Sequence, residues 1–242
     1  MKVSRLRSCR IILLSAYVTA MTSIRAVFMR LSGRINRVWV DNAIRAWINR
    51  LLELVDVNCR VVNPHNVKPQ AGQATIIMCN HTSLYDIPLS YRVFPEHSIR
   101  MLSKKELSRI PVLGKGMTAA EFPFVDRKNR HQAIRDLESV RKLMESGIVV
   151  WIAPEGTRSP DGRLGTFKKG AFITAIEAGA TIIPIGIRGA SRILPARTLQ
   201  FNVGETAEVH VGQPIDASQY TLAERDALVE RVRGEMLKLV GE

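Results

Sequence analysis

Apolar positions follow two registers along the chain. In the first quarter Ile24, Phe28, Leu31, Ile35 and Val38 recur every three or four residues, the stripe of an amphipathic helix. Val40, Ile44, Trp47, Leu51 and Val55 form a second stripe, its phase rotated by roughly 180° at 100° per residue. One straight helix cannot keep both stripes on one side, so the pattern predicts two helices with a break near Gly33 or near Asp41-Asn42. Ahead of them Ile11–Ile24 carries no charge. As a helix this stretch would span roughly 21 Å, short of the ~30 Å hydrocarbon core of a bilayer. Ser15, Tyr17, Thr19, Thr22 and Ser23 weaken it further as a span. A cleaved signal peptide has a similar basic start and short apolar run, but no small-residue cleavage site stands out.

The register changes after the turn residues Asn63-Pro64 and Lys68-Pro69-Gln70-Ala71-Gly72. Ala74–Cys79, Ser98–Leu102, Glu121–Val125, Gly147–Ala153 and Thr181–Ile187 read as short strands, and Ala207–Val211 alternates as a late one. His131–Met144, Phe172–Ala178 and Leu222–Leu239 carry helical periodicity. Strands alternating with helices predict an α/β fold, a mixed sheet flanked by helices, preceded by an N-terminal amphipathic helical segment. The division drawn from this pattern is residues 1–62, basic amphipathic helices for membrane docking, and residues 63–242, the α/β domain.

Charge sharpens the reading of the first segment. The chain carries 35 Lys+Arg against 22 Asp+Glu, a net +13. Eleven of the basic residues and three of the acids fall within residues 1–60, so the excess concentrates where the apolar stripes run. A basic excess selects a polyanionic partner. Stacking on nucleic acid needs aromatics among the basic residues, but aromatics are 6% of the chain and no nucleic-acid-binding motif is visible. The expected partner is therefore a membrane surface with anionic phospholipid, and no nucleic acid. Arginines flanking the stripes, with Trp39 and Trp47 among them, fit helices lying in a membrane interface. Two ordinary surface helices packed on the core remain the alternative. The three cysteines Cys9, Cys59 and Cys79 show no CxxC spacing, so neither a disulfide framework nor a zinc knuckle is expected.

Chemistry gathers at the predicted strand ends, where loops can hold polar groups over a rigid edge. Ala74–Cys79 runs into Asn80-His81-Thr82-Ser83-Leu84-Tyr85-Asp86, Glu121–Val125 into Asp126-Arg127-Lys128, and Gly147–Ala153 into Pro154-Glu155-Gly156-Thr157-Arg158-Ser159. His81 and Asp86 can meet if His81 lies in the strand-to-helix turn and Asp86 in the first helical turn. A carboxylate holding one imidazole nitrogen leaves the other as a general base. Ser83-x-x-Asp86 also reads as a capping box, which would confine Asp86 to a helix start. Cys79, inside the apolar run, reads as core. One histidine and one nearby carboxylate make an incomplete ligand set, so no metal is expected.

Asn80-His81-x4-Asp86, Phe124-Val125-Asp126-Arg127, Glu155-Gly156-Thr157-Arg158-Ser159 and Ile182-Ile183-Pro184-Ile185, in this order and spacing, resemble the glycerolipid acyltransferase family. Within it the chain looks most like the 1-acylglycerol-3-phosphate (lysophosphatidate) acyltransferases. Ser103-Lys104-Lys105-Glu106-Leu107 and Phe167-Lys168-Lys169-Gly170 match further stretches, and the likeness covers roughly residues 60–215. One departure is visible: the family often has glycine three residues before its Phe-x-x-Arg segment, where this chain has Glu121. The resemblance implies transfer of a fatty acyl group from an acyl-CoA or acyl-carrier-protein thioester to the free hydroxyl of lysophosphatidate, giving phosphatidate. The thioester would be a co-substrate, with no further cofactor. His81 would be the base and Asp86 its orienter. Arg127, Glu155, Gly156, Thr157 and Arg158 belong to the motifs associated with acceptor binding, and Lys104, with Lys105, Lys168 and Lys169, would extend a basic mouth. Arg127 and Lys128, and each of these lysines singly, also suit plain surface. The implied location is the cytoplasmic face of the cell membrane. Two kinds of rival stay open: a sister enzyme acting on glycerol 3-phosphate, a lysophospholipid or a lyso-ornithine lipid, and a non-enzymatic basic protein binding membranes or nucleic acid.

Overall fold

The computed structural model describes residues 2–126 and 128–242. Its strands are β1 (Asn58–Val62), β2 (Thr75–Cys79), β3 (Ile99–Met101), β4 (Ser103–Lys104), β5 (Phe124–Val125), β6 (Val149–Ile152), β7 (Thr181–Arg188), β8 (Thr206–Val211) and β9 (Ile215–Asp216). Among the described residues seven of these form one sheet in the order β1-β8-β7-β2-β6-β3, with β9 also on β7, while β4 and β5 pair apart. All pairings are parallel except β7 with β8 and β7 with β9, so the sheet is mixed. The central strands β2, β6 and β7 are runs of Ile, Val and Thr, which suit a pleated surface covered on both faces.

Side chains alternate between two apolar layers. Ile77, Cys79, Val149, Trp151, Ile183 and Ile185 face one core, and Ile76, Met78, Val150, Ile152 and Ile182 face the other. The second core is closed by α5 (Arg130–Glu145), α6 (Gly170–Glu177) and α8 (Arg225–Val240), through residues such as Val140, Phe172 and Val232. The first is closed by α2 (Arg37–Leu54) and the short α3 (Asp86–Ser90). Before α2 comes α1 (Arg5–Leu31), and the remaining helices are α4 (Leu113–Ala119) and α7 (Ala190–Ile193).

The two N-terminal helices break at 32–36, around Gly33 rather than at Asp41-Asn42. The Asn36 side chain accepts the Trp39 N–H at 2.9 Å and so starts α2 at Arg37. Asp41 is left inside the helix, where its carboxylate accepts Arg100 Nη1 at 2.8 Å and Ser98 Oγ at 2.5 Å. Arg100, 1% exposed, joins α2 to edge strand β3.

The apolar stripe of α2 does not face a membrane: Val40, Ile44, Ile48 and Leu52 are buried in the first core. The membrane-interface reading therefore fails for this stripe, because it covers the sheet. Nor do the first 62 residues stand apart, since β1 pairs along its length with β8 as an edge of the central sheet.

Helix α1 is different. At 27 residues it is long and apolar enough to cross a membrane by length and composition. The fourteen-residue stretch read from the sequence is only its middle. Both its ends are tied to the body: Ser8 Oγ accepts the Phe201 N–H at 3.2 Å, and a Cβ on Gly116 of α4 would lie 2.5 Å from Ser23 Cβ. Away from these contacts Leu6, Leu13, Tyr17, Ile24, Phe28 and Leu31 are exposed. At 100° per residue they fall within about 60° of arc, one continuous apolar strip along the outer side of the helix.

Candidate active site

β2 ends at Cys79 in the middle of the sheet, and its continuation is held by side-chain hydrogen bonds instead of strand pairing. The Asn80 amide donates to Ile187 O at 3.0 Å and accepts the Ile187 N–H at 2.7 Å, extending the contact with β7 by one residue. Next, the His81 N–H donates to Glu155 Oε1 at 2.8 Å, and His81 O accepts the Ser159 N–H at 2.7 Å. The backbone of His81 is thereby fixed from both sides by the turn that follows β6.

The chain then closes on Asp86, at the first position of α3 and fully buried. Its Oδ2 accepts the N–H groups of Thr82 at 2.6 Å and Ser83 at 2.7 Å and stands 2.9 Å from His81 Nδ1. An oxygen already accepting two backbone N–H groups meets the imidazole as a third acceptor contact, so Nδ1 carries the proton and Nε2 keeps its lone pair. The ring is 16% exposed. Its back is covered by Trp151, edge to face at 6.2 Å between centroids. A fixed tautomer whose Nε2 has no partner among the described residues can take a proton from a hydroxyl. Only half of the capping box forms: Asp86 accepts the Ser83 N–H, but the Ser83 hydroxyl donates to Leu194 O at 2.8 Å and accepts the Tyr85 N–H at 3.2 Å in place of the Asp86 N–H.

The residues after β6 divide into braces and free groups. Glu155 is buried, with Oε1 on the His81 N–H and Oε2 on the Gly165 N–H at 2.8 Å. Burial pushes its carboxyl above the ordinary value, against the lowering effect of those backbone N–H groups. With one backbone N–H on each oxygen, it ties the two loops together. Gly165 must come this close: a Cβ there would lie 2.8 Å from Glu155 Oε2. Gly156 turns the chain with φ +76°. Thr157 is exposed and Arg158 half-buried, and neither side chain has a hydrogen-bond or ion-pair partner among the described residues. Arg158 is thus a cation left free next to the residue whose N–H grips the His81 carbonyl.

Arg127 lies outside the described residues. Lys104, on β4, is exposed. Lys105 pairs with Asp126 at 3.3 Å and Lys169 with Asp226 at 2.8 Å, so those two charges are engaged elsewhere. Cys79, fully buried, has its thiol pushed well above the usual range by burial and then by the charges of Asp86 and Glu155, as suits a core residue. Sequence reasoning gave no role to Asn80 or Trp151. A polar residue directly after an all-apolar buried strand was the signal for the first, and nothing pointed to the second.

The comparisons with known proteins agree with this architecture. Residues 58–188, more than half of the 242, match the family model described as Acyltransferase. The chain belongs to the acyltransferase family. It is 30% identical over 210 residues to a 1-acyl-sn-glycerol-3-phosphate acyltransferase of Saccharomyces cerevisiae, covering 84% of this chain and 66% of that protein. It is 30% identical over 151 residues to a chloroplastic 1-acyl-sn-glycerol-3-phosphate acyltransferase of Arabidopsis thaliana, covering 62% of this chain and 42% of that one. The match thus spans less than half the length of the plant relative. The crystal structure of the 1-acyl-sn-glycerophosphate acyltransferase PlsC from Thermotoga maritima superposes with a TM-score of 0.75 at 25% identity, over 97% of this chain and 96% of that one.

The bracing role of Glu155 is open to a direct check. Glu155→Gln keeps the shape but turns one acceptor into an NH₂ that faces a backbone N–H. The unmatched buried donor should cost about 1–3 kcal/mol of unfolding free energy in a urea titration. Unchanged stability would mean that the two loops are held without it.

Proposed function

We propose that the protein transfers a fatty acyl group from an acyl thioester, of coenzyme A or acyl carrier protein, to the free hydroxyl of 1-acylglycerol 3-phosphate, giving phosphatidate. The observation that carries this reading is the His81–Asp86 dyad, with no partner on Nε2 among the described residues and Arg158 directly before the Ser159 whose N–H holds the His81 carbonyl. The names of the yeast and plant relatives support the choice of acceptor.

The chemistry follows from the atoms present. As the acceptor hydroxyl oxygen attacks the thioester carbonyl carbon, His81 Nε2 takes its proton. The C–O bond forms and the carbonyl becomes a tetrahedral oxyanion. Asp86 stabilises the imidazolium through Nδ1, as the carboxylate of a catalytic triad does. On collapse the C–S bond breaks and the imidazolium returns its proton to the departing thiolate, so ester and thiol leave with the base restored. No acyl-enzyme is needed, which agrees with the buried, hard-to-ionise Cys79 beside the site. The Arg158 guanidinium offers a planar fork for the acceptor's phosphate.

A lysolipid acceptor lives in a bilayer, and the exposed strip of α1 supplies a surface to meet it. Basic residues Arg5, Arg10 and Arg30 are exposed on the same helix. We read α1 as lying in the interface of an anionic membrane on its cytosolic side, where the thioesters are, with its apolar side chains among the lipid chains.

Four measurements test this. Purified protein given a labelled acyl thioester and lysophosphatidate, in parallel with glycerol 3-phosphate and lysophosphatidylcholine, should label phosphatidate preferentially. In that assay His81→Ala should lower kcat by about a hundredfold or more, and near-normal turnover by a folded variant would sink the mechanism. Arg158→Lys keeps the charge and loses the fork. A charge-assisted contact of roughly 1.5–3 kcal/mol predicts about a ten- to hundredfold drop in kcat/KM for the acceptor with the donor KM little changed; the opposite split would assign Arg158 to the thioester. Finally, Leu13→Ser with Phe28→Ser should weaken co-sedimentation with vesicles while leaving the melting temperature near wild type, because both side chains are exposed.

A further inference from the structure

Between α1 and α2 runs a groove of about 420 Å³, within the size range of lipid and small-molecule sites and near its lower end. Its walls are apolar and aromatic: Tyr17 and Met21 from α1, Trp39 and Trp47 from α2. On α2 this is not the core-facing side, since Val40, Ile44, Ile48 and Leu52 occupy that one. Trp39, Ala43 and Trp47 stand one helical turn apart, so Ala43 leaves a notch between two indoles. Trp47 is held there by donating its Nε1–H to Thr19 Oγ1 at 2.9 Å. The indole is braced across the two helices without a ligand.

Two cations border this slot. Arg25 lines it from α1, exposed and with no acidic partner among the described residues. Arg50 lines it from α2, and its contact, Glu53 at 2.9 Å, is a solvent-exposed i,i+3 pair worth little. The groove also borders the apolar strip of α1: Tyr17 belongs to both, and Met21 lies next to them on the helical wheel. A slot that is apolar inside, cationic at its border and continuous with an exposed apolar face fits one half of a phospholipid.

We propose that this groove is a binding site for a membrane-resident anionic phospholipid. One acyl chain lies along Tyr17, Met21 and the Trp39–Trp47 notch, and the phosphate is held by Arg25 at one end of the slot, with Arg50 closing the other end. The proposal rests on the reading that α1 meets the bilayer. It adds to that reading a discrete, saturable site, which selects anionic lipid by a guanidinium contact at the end of an apolar slot where a diffuse field would respond only to net charge. This site is separate from the His81 centre, so it governs where the protein sits and not how it reacts.

The test compares equal charges in different places. In Arg25→Gln/Arg50→Gln the groove pair is removed; in Arg30→Gln/Arg34→Gln two exposed arginines outside the groove are removed. Partition onto phosphatidylcholine vesicles containing phosphatidylglycerol should fall roughly tenfold further for the groove pair. A third variant, Ala43→Leu, fills the notch with the charge intact. Vesicles whose lipids carry bromine on the acyl chains should quench Trp39 and Trp47 in the wild type and much less in Ala43→Leu, while Trp151, buried in the body, provides a constant background. Equal losses from the two arginine pairs, or quenching unaffected by Ala43→Leu, would overturn the site and leave diffuse attraction only. So would vesicle binding indifferent to phosphatidylglycerol. Acyl transfer measured on detergent-dispersed acceptor does not depend on the groove, so the reaction proposal stands or falls by a separate result.

Discussion

Three N–H donors converge on one buried oxygen, Oδ2 of Asp86. That convergence bends the chain leaving β2, starts α3 and presents His81 with one nitrogen tied and the other bare. Nothing in the local sequence would hold the turn otherwise, because Ser83 is engaged with Leu194 and Tyr85. A carboxylate this deep is costly without partners, and the surrounding N–H groups are what make it tolerable. Glu155, in the turn after β6, solves a similar problem, accepting from His81 and Gly165. Burial raises its carboxyl above the ordinary value. A carboxyl with a raised folded-state pKa binds its proton more tightly when folded, so its contribution to stability declines as pH rises through that interval. The protein bears this cost at the point where Asn80-His81 meets the turn that holds Glu155.

The N-terminal helices serve two surfaces at once. One side of α2 completes the core and its Asp41 satisfies the buried Arg100, so this helix cannot leave without exposing the sheet. Fixed on α2 at one flank and against α4 at another, α1 turns its third side outward as an apolar strip. A floating hairpin could offer the same residues to a bilayer, but it would not hold them in a set relation to His81. Rigid attachment does.

Much of this was legible in the sequence, for identifiable reasons. The central strands are short β-branched runs bounded by turn residues, so Thr75–Cys79, Val149–Ile152 and Thr181–Arg188 emerged nearly where periodicity put them. The meeting of His81 with Asp86 followed from a strand end and a helix start five residues apart. What stayed hidden depends on long-range partners. β1 is half polar and exposed, and it becomes a strand through β8, well over a hundred residues later. α4, with two glycines in seven residues, has no helical signal of its own. The stripe of α2 was visible, but an apolar stripe does not say whether sheet or lipid will cover it. The two oxygens of Glu155 find their donors on loops that the sequence places ten and seventy-four residues away, so its bracing role could not be read from the motif alone.

Glu121 shows how such partners rewrite a local rule. It stands where resembling proteins often have glycine, and its φ is +63°, in the left-handed region. For a residue with a Cβ that conformation costs about 1–2 kcal/mol. Arg37, at the start of α2, grips the Glu121 carboxylate with two nitrogens, Nε at 3.1 Å and Nη2 at 3.2 Å, and its guanidinium also donates to the oxygens of Ser146 at the end of α5. A partly exposed ion pair alone contributes up to about 1 kcal/mol, short of the strain, but the shared fork joins α2, the turn before β5 and α5 through one side chain. A glycine would relieve the backbone and lose that joint. The chain retains the strained residue where α2 meets the segment leading to β5, and the gain is the mechanical link between them.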